Sequence, residues 1–124
     1  MKQLHLTLPY PPGVNAMWRT WRGRVLLSKR GREYRAAGMK QLEDHAGVTF
    51  TEGERVRVQI EMWPPDLRRR DIDSVPKGVL DLLTHAGIWS DDFQVDELTV
   101  VRKPKVKGGR LALTITEIPE EKSP

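Results

Sequence analysis

The sequence predicts a single small domain of the α+β class (mixed α/β), in which a mixed β-sheet carries two main helices in the order β-α-β-α-β-β. Several segments alternate apolar and polar residues with the period of a strand, and two others repeat apolar residues with the period of a helix. The length of 124 residues fits one compact domain, and 38% hydrophobic residues supply enough apolar material for a modest core.

The first strand is predicted over residues 2–8, "KQLHLTL", in which three leucines share one face. The prolines of "PYPPGVN" end this strand, because a proline cannot donate to the hydrogen-bond ladder. The next stretch, "AMWRTWRGR", is interpreted as a basic loop with Trp18 and Trp21 between arginines. These tryptophans either stack on bases or sugars or cover the core, and the second role is expected of at least one of them.

Ser28 is predicted to be the N-cap of the first helix, which runs to about Ala46. The inner face of this helix is expected to comprise Tyr34, Ala37, Gly38 and Leu42. After the turn "TEGE", residues 55–63 alternate cleanly and predict a second strand. The inward side chains of that strand are expected to be Val56, Val58, Ile60 and Met62.

The second helix is predicted over about residues 74–86. Pro76 fits only in its first turn, where backbone amides have no intrahelical partner, so the helix should begin near Asp73 or Ser74, both good caps. Gly87 follows where a helix usually ends. The core-facing side chains are expected to be Val75, Val79, Leu80 and Leu83.

A third strand is predicted over about residues 94–103, and "PKVKGG" is interpreted as a hairpin-like connection to a closing strand, "RLALTITEI". A strand-helix-strand unit followed by a hairpin predicts a mixed sheet with helices packed against it. The domain is expected to span residues 1–118, followed by an acidic tail at 119–124.

Basic residues are more informative by their distribution than by the net charge of +4. They fall into three groups, which would form a footprint for a polyanion if the fold brings them to one side and would otherwise be solvated faces. The groups are Arg19, Arg22, Arg24, Lys29, Arg30, Arg32 and Arg35; Arg68, Arg69 and Arg70; and Arg102, Lys103, Lys105, Lys107 and Arg110.

Several classes of protein are excluded or disfavoured by composition. The absence of cysteine excludes disulfides and thiolate metal sites. No apolar run approaches the roughly 20 residues that span a bilayer, and the N-terminus lacks the pattern of a secretory signal. These observations are compatible with an intracellular location, and a cytoplasmic protein without a membrane partner is expected.

The segment "RRRDIDSVPK", residues 68–77, concentrates both signs of charge at a predicted helix start. In an extended segment Asp71 and Asp73 point the same way, because side chains alternate. Lys77 lies four residues after Asp73, on the same face if the helix begins there. Two carboxylates and one ammonium then surround one point at a helix N-terminus, where anions are favoured.

This combination is typical of magnesium-dependent phosphate chemistry. Mg²⁺ prefers one or two carboxylates, several waters and phosphate oxygens, and it can activate water and neutralise charge on phosphorus. A lysine can stabilise the scissile phosphate or the leaving oxygen. A second acidic pair, Asp91 and Asp92, lies beyond a helix about 20 Å long. The chain must therefore return through "GIWSDD" if the two pairs are to meet.

Each feature also has an ordinary structural interpretation. An aspartate before a helix is most often a cap, an Asp-Asp pair is most often in a turn, and Lys77 with Asp81 is an ordinary helix salt bridge. From the residues alone, a metal-dependent phosphodiester enzyme and a nucleic-acid-binding module without catalysis are equally supported. A solvated scaffold without affinity for nucleic acid is the third class.

The chain resembles the RusA family of Holliday junction resolvases, small endodeoxyribonucleases often carried by phages and prophages. The resemblance covers nearly the whole length, and its specific part is the order of D-x-D, lysine, helix and acidic pair. The matching segments are "LPYPPGVNAMWR", "SKRGREYR", "RRRDIDSVPKGVLDLLTHAGIWSDDFQV" and "KGGRLALTITE".

This resemblance implies a homodimer that cleaves four-way DNA junctions symmetrically with Mg²⁺, or with Mn²⁺ in its place. The alternative is a branched-DNA-binding protein without catalysis. The implied catalytic residues are Asp71, Asp73, Lys77 and Asp92, and the implied metal ligands are Asp71, Asp73, Asp91 and Asp92. The expected DNA-binding residues are Arg68, Arg69, Arg70, Lys77, Arg19 and Arg22.

Overall fold

A computed structural model describes residues 2–45 and 47–120 of the chain. Within these residues the chain forms six strands and three α-helices, with short 3-10 turns at Ile72–Ser74 and Asp92–Gln94. In chain order the elements are β1 (Gln3–Leu8), α1 (Val14–Met17), β2 (Trp18–Trp21), β3 (Arg24–Leu27), α2 (Lys29–Leu42), β4 (Arg55–Trp63), α3 (Pro76–His85), β5 (Val95–Arg102) and β6 (Arg110–Ile118).

The main sheet has the strand order β1-β6-β4-β5, and it confirms the predicted mixed α+β class. Strand β6 runs antiparallel to both of its neighbours, β1 and β4, whereas β4 and β5 run parallel. The predicted hairpin between the last two strands is wrong, because β6 does not pair with β5. Strands β4 and β6 bury alternate side chains completely and so occupy the centre, while the largely exposed β5 becomes an edge.

Strands β1, β4 and β6 bury the apolar faces predicted from their alternation, and α2 and α3 cover that face of the sheet. Helix α2 ends at Leu42, earlier than predicted, and Ala46 lies outside the described residues. Ala37 is exposed, and Leu80 is only half-buried, because the buried stripe of α3 passes through Leu82 instead. Because Gly38 has no side chain, Leu82 of α3 packs directly against α2 at this position. This contact determines which face each helix turns toward the other.

The helix boundaries agree with the sequence at Ser28 and Gly87 and differ at the start of α3. Ser28 caps α2 by accepting a hydrogen bond from the Gly31 amide at 3.0 Å, and Gly87 ends α3 with a φ of +76°. Pro76 lies in the first turn of α3, as predicted, but it is the first residue of the helix, which therefore begins later than the predicted start near Asp73 or Ser74. The predicted capping by Asp73 or Ser74 is wrong, since the 3-10 turn intervenes and the cap position falls on Val75.

Strands β2 and β3 form a separate two-stranded hairpin where a basic loop was predicted. The turn between the strands consists of Arg22 and Gly23, which both have positive φ, 48° and 74°. Two consecutive residues of positive φ give the twist that joins antiparallel strands by the shortest turn. The sequence signal was the dipeptide "RG" between two short β-prone segments.

Met17, at the end of α1, packs between α2 and α3 at two glycines. A side chain at Gly31 would meet the Met17 carbonyl, and one at Gly78 would lie about 3.0 Å from the Met17 sulfur. These close approaches hold α1 against both helices. Because α1 also lines the groove described below, the two glycines help to position the candidate site.

Replacing Gly31 with Ala is expected to destabilise the fold by about 1–3 kcal/mol, even though alanine is the better helix former. The added methyl group has no space against the Met17 backbone. Urea unfolding of this variant measures the effect. Gly53→Ala is the control, because nothing lies within 4 Å of a side chain there; equal midpoints for the two variants would contradict the packing argument.

No helix within the described residues is long and apolar enough to cross a lipid bilayer. Residues 119 and 120 follow β6 without regular structure, and residues 121–124 of the predicted acidic tail lie outside the described residues. The predicted domain boundary at residue 118 stays a prediction; it coincides with the last residue of β6.

Candidate active site

Asp71 and Asp73 both line an open groove of about 500 Å³ between α1 and the start of α3. The loop that follows β4 carries them there, and both residues are exposed. The opposite wall includes Asn15 and Tyr10, and Arg69 and Arg70 complete the basic side. The structure therefore places the two carboxylates of the D-x-D motif together in an open groove bordered by arginines.

Lys77 lies in the first turn of α3, exposed, with its Nζ 4.9 Å from the centre of the Trp18 ring. The ordinary helix salt bridge with Asp81 does not form, because Asp81 accepts a hydrogen bond from Arg35 at 2.8 Å. Within the described residues Lys77 makes no salt bridge. It is not among the residues that line the groove with Asp71 and Asp73.

The three arginines before the motif occupy different environments. The Arg68 side chain is 84% exposed, and Arg69 is exposed at the groove. The Arg70 guanidinium donates a hydrogen bond of 2.6 Å to the Asp66 carboxylate, so part of its charge is already paired. This bond lowers the pKa of Asp66 to about 2. Arg102 in turn donates to the Arg70 carbonyl, which ties the end of β5 to the loop.

Asp91 and Asp92 lie at the opposite end of α3. Asp91 caps a 3-10 turn by accepting a hydrogen bond from the Phe93 amide at 3.0 Å, and Gln94 completes a capping box. The ordinary interpretation of Asp91 as a turn residue is thus satisfied. Asp92 remains exposed, and its carboxylate accepts a hydrogen bond from the Thr84 hydroxyl.

Thr84 connects Asp92 to the core. The indole N–H of the buried Trp89 donates to the Thr84 hydroxyl oxygen at 2.7 Å. The Leu80 carbonyl, 3.1 Å from that oxygen, is the competing acceptor for its single proton. When the Thr84 hydroxyl donates to Asp92, it links the buried Trp89 indole to the exposed Asp92 carboxylate. This link restrains the position of the Asp92 carboxylate.

Replacing Thr84 with Val is expected to lower the free energy of unfolding by about 1–3 kcal/mol, because the buried Trp89 N–H loses its acceptor. Urea denaturation measures this change. Thr84→Ser, which keeps the hydroxyl, is the matched control and should lose much less. A loss in Thr84→Ser as large as that in Thr84→Val would contradict the hydrogen-bond argument, because serine keeps the hydroxyl that accepts from Trp89.

The two acidic pairs do not meet within one chain. Asp92 bonds to Thr84 in the last turn of α3, whereas Asp73 immediately precedes that helix. A helix of 10 residues separates them, which corresponds to about 15 Å. Across the described ranges, no group of three or more His, Asp or Glu side chains is close enough to hold a metal ion.

Comparison with known proteins identifies the family. Residues 9–116 match the family described as "Endodeoxyribonuclease RusA". This chain belongs to the RusA family. It is 42% identical over 121 residues to the crossover junction endodeoxyribonucleases of Enterobacteria phage 82 and of Escherichia coli K12, covering 98% of this chain and 100% of each relative. The corresponding protein of Enterobacteria phage HK97 is 40% identical over 118 residues.

Membership of the RusA family confirms the resemblance drawn from the sequence, while the individual site residues stay predictions. Sequence reasoning missed two contributors to the site. Thr84 gave no signal, because its role depends on the fold of the loop after α3. Tyr10 lines the D-x-D groove and two adjoining depressions, with the Arg70 guanidinium 5.8 Å from its ring centre.

Tyr10 is partly buried, and its hydroxyl oxygen is buried although the groove that it lines is open. Burial raises the pKa of its hydroxyl, against the opposing effect of Arg70 and Arg102. Its oxygen has no hydrogen-bond partner among the described residues. In the sequence, the "PYPP" segment that carries it was interpreted as the end of a strand and as part of the resemblance to the RusA family, without a role for Tyr10.

Proposed function

We propose that this RusA-family protein is an endodeoxyribonuclease that resolves four-way DNA junctions by Mg²⁺-dependent hydrolysis. The observation that carries the proposal is the D-x-D groove bordered by arginines, in a chain that shares 42% identity over nearly its whole length with crossover junction endodeoxyribonucleases. Asp71 and Asp73, which line the groove, are assigned to the metal, and Lys77, in the first turn of α3, is assigned to the phosphate or the leaving oxygen.

The charge distribution around the groove supports a nucleic-acid substrate. Arg68 and Arg69 are exposed beside the D-x-D pair, and Arg70 lines all three depressions around Tyr10. Cations from the end of β5 and the following loop line the third depression, namely Arg102, Lys103 and Lys105. Such a row of cations suits successive phosphates of a strand, because each contact releases condensed counterions.

The donor chemistry of the groove fits a hard divalent cation. Asp71 and Asp73 offer only oxygen ligands, with no sulfur or imidazole beside them in the groove, and Mg²⁺ keeps several waters and so needs few protein ligands. When bound, Mg²⁺ supplies activation of water and charge neutralisation at the phosphorus, and Mn²⁺ suits the same ligands. The chain's own contribution is to hold the phosphates with arginines and to place the Lys77 ammonium near the developing negative charge.

We propose further that the protein is a homodimer and that Asp92 reaches the metal site from the partner subunit. The two acidic pairs lie near opposite ends of β5. The Asp92 turn leads directly into β5, and the last residue of β5, Arg102, contacts the loop that carries Asp71. Pairing β5 antiparallel with a second β5 about a two-fold axis places the start of each strand beside the end of the other.

Several features of β5 suit such pairing. It is an edge strand of the sheet, so one row of its backbone groups has no sheet partner among the residues that the structure describes. Leu98 and Val101 are exposed there, at 43% and 44%. Neither of the two aspartate pairs lies at an end of the opposite edge strand, β1. A two-fold dimer also presents two identical sites to a junction of approximate two-fold symmetry, as paired cuts in opposed strands require.

The purified protein incubated with a synthetic four-way junction tests the proposed function. Symmetric nicks that appear with Mg²⁺ and disappear with EDTA are expected. A bandshift without nicks in either condition would favour the second candidate, a branched-DNA-binding protein without catalysis. Salt dependence separates the third class, because phosphate contacts make affinity fall steeply as salt rises, and a plain scaffold would show no binding to lose.

A further inference from the structure

The β2–β3 hairpin presents one face that the proposed catalytic site does not use. Opposed residues of an antiparallel pair lie on the same side of the ribbon, and the register pairs Trp21 with Arg24 and Arg19 with Leu26. Arg19, Trp21 and Arg24 therefore share a face, and all three are exposed, the tryptophan to 54%. Trp18 and Val25 belong to the other face.

The hairpin arginines differ from several other arginines of the molecule, which are paired with carboxylates. Arg55, Arg57 and Arg70 are each paired with a carboxylate. Among the described residues, by contrast, none of the arginines at 19, 22 and 24 forms a salt bridge. The sequence explains the difference, since no Asp or Glu occurs before Glu33. A cationic face without internal counter-ions is complementary to a polyanion.

The hairpin is also continuous with the groove. The wall of the groove includes Val14, Asn15 and Ala16 of α1, and β2 begins directly after α1 at Trp18. The Trp18 ring lies under the Lys77 ammonium. A strand of four residues extends about 13 Å, so the tip of the hairpin stands about four base steps from the groove wall.

From this arrangement we infer that the hairpin is an arm for branched DNA, in which Trp21 stacks on a base exposed at the branch point while the arginines hold adjacent phosphates. The inference rests on the proposed function, because it assumes junction DNA in the groove. An aromatic ring with arginines on either side is the combination that binds unstacked bases irrespective of sequence. Arg22 already lies 5.4 Å from the Trp21 ring centre and would cover the far side of the stack.

The test compares Trp21→Ala, Trp21→Phe and Val25→Ala, the last being a matched control because Val25 is 62% exposed on the opposite face of the same hairpin. Binding is measured in EDTA to a labelled four-way junction and to a linear duplex of the same length. Loss of one stacked base predicts about a tenfold weaker junction affinity for Trp21→Ala, with duplex affinity changed less than about twofold. Trp21→Phe should retain most of the affinity, and Val25→Ala should match the wild type.

A second readout uses 2-aminopurine at the branch point of the junction. Its fluorescence should be quenched in the wild-type complex and brighter in the Trp21→Ala complex, because the quenching requires stacking. The inference is overturned if Trp21→Ala and Val25→Ala bind the junction equally, or if the junction and the duplex lose affinity equally. It is also overturned if Trp21→Ala changes the mass of the assembly in sedimentation, which would make this face a protein interface. None of these results affects Mg²⁺-dependent nicking by the wild-type protein. The inference about the hairpin can therefore fail while the proposed nuclease function stands.

Discussion

Replacing Asp71 with Asn is expected to lower the rate of junction cleavage by about a thousandfold or more, while junction affinity stays the same or rises. The amide has nearly the same size as the carboxylate but lacks the negative charge that holds the metal. Loss of that charge also removes repulsion between the groove and the DNA phosphates. Single-turnover cleavage and equilibrium binding, measured on the same junction, separate the two effects.

The control for this substitution is Asp44→Asn, because Asp44 is an exposed acid just beyond α2 that does not line the D-x-D groove. It changes the net charge equally and should leave cleavage unchanged. Unaltered turnover in Asp71→Asn would retire the assignment of Asp71 to the metal. A fall in turnover accompanied by an equal fall in affinity would show instead that Asp71 supports DNA binding.

Mixing two inactive variants, Asp71→Asn and Asp92→Asn, is expected to restore cleavage if the site is shared between subunits. In a mixed dimer one site then combines both substitutions, and the other combines an intact Asp71 with an intact Asp92 from the partner subunit. Random exchange of equal amounts should recover about a quarter of the wild-type nicking rate, with the nicks in one strand per junction. The reason is that half of the dimers are mixed and each has one intact site.

The same experiment discriminates sharply between the two arrangements of the site. If Asp71 and Asp92 served the same metal within one chain, every mixed dimer would contain two damaged sites, and mixing would restore nothing. Exchange of subunits is verified by mass with one variant tagged. A mixture of Asp71→Asn with Asp73→Asn is the negative control. Asp71 and Asp73 line the same groove of one chain, so each site of a mixed dimer lacks one of them and no intact site forms.

Much of the fold was predictable because the signals were local. The alternation in β1, β4 and β6 named the buried side chains, and Ser28 and Gly87 marked helix ends by their own conformational preferences. The β2–β3 hairpin was missed, since its strands have four residues each and its turn places an arginine at positive φ. The hairpin between the last two strands was wrongly predicted, because strand pairing depends on which strands must be buried on both sides.

For the candidate site, the sequence alone determined the identity of the chemistry-bearing groups: the D-x-D pair, the lysine one turn later and the second acidic pair. It did so because carboxylate, ammonium and guanidinium groups carry their charge wherever they are placed. Only the tertiary structure decided which of these groups share a groove. The parallel crossover from β4 to β5 leaves Asp73 at one end of α3 and Asp92, bonded to Thr84, at the other. Distance in space is set by packing across the whole domain, and no spacing along the chain contains that information.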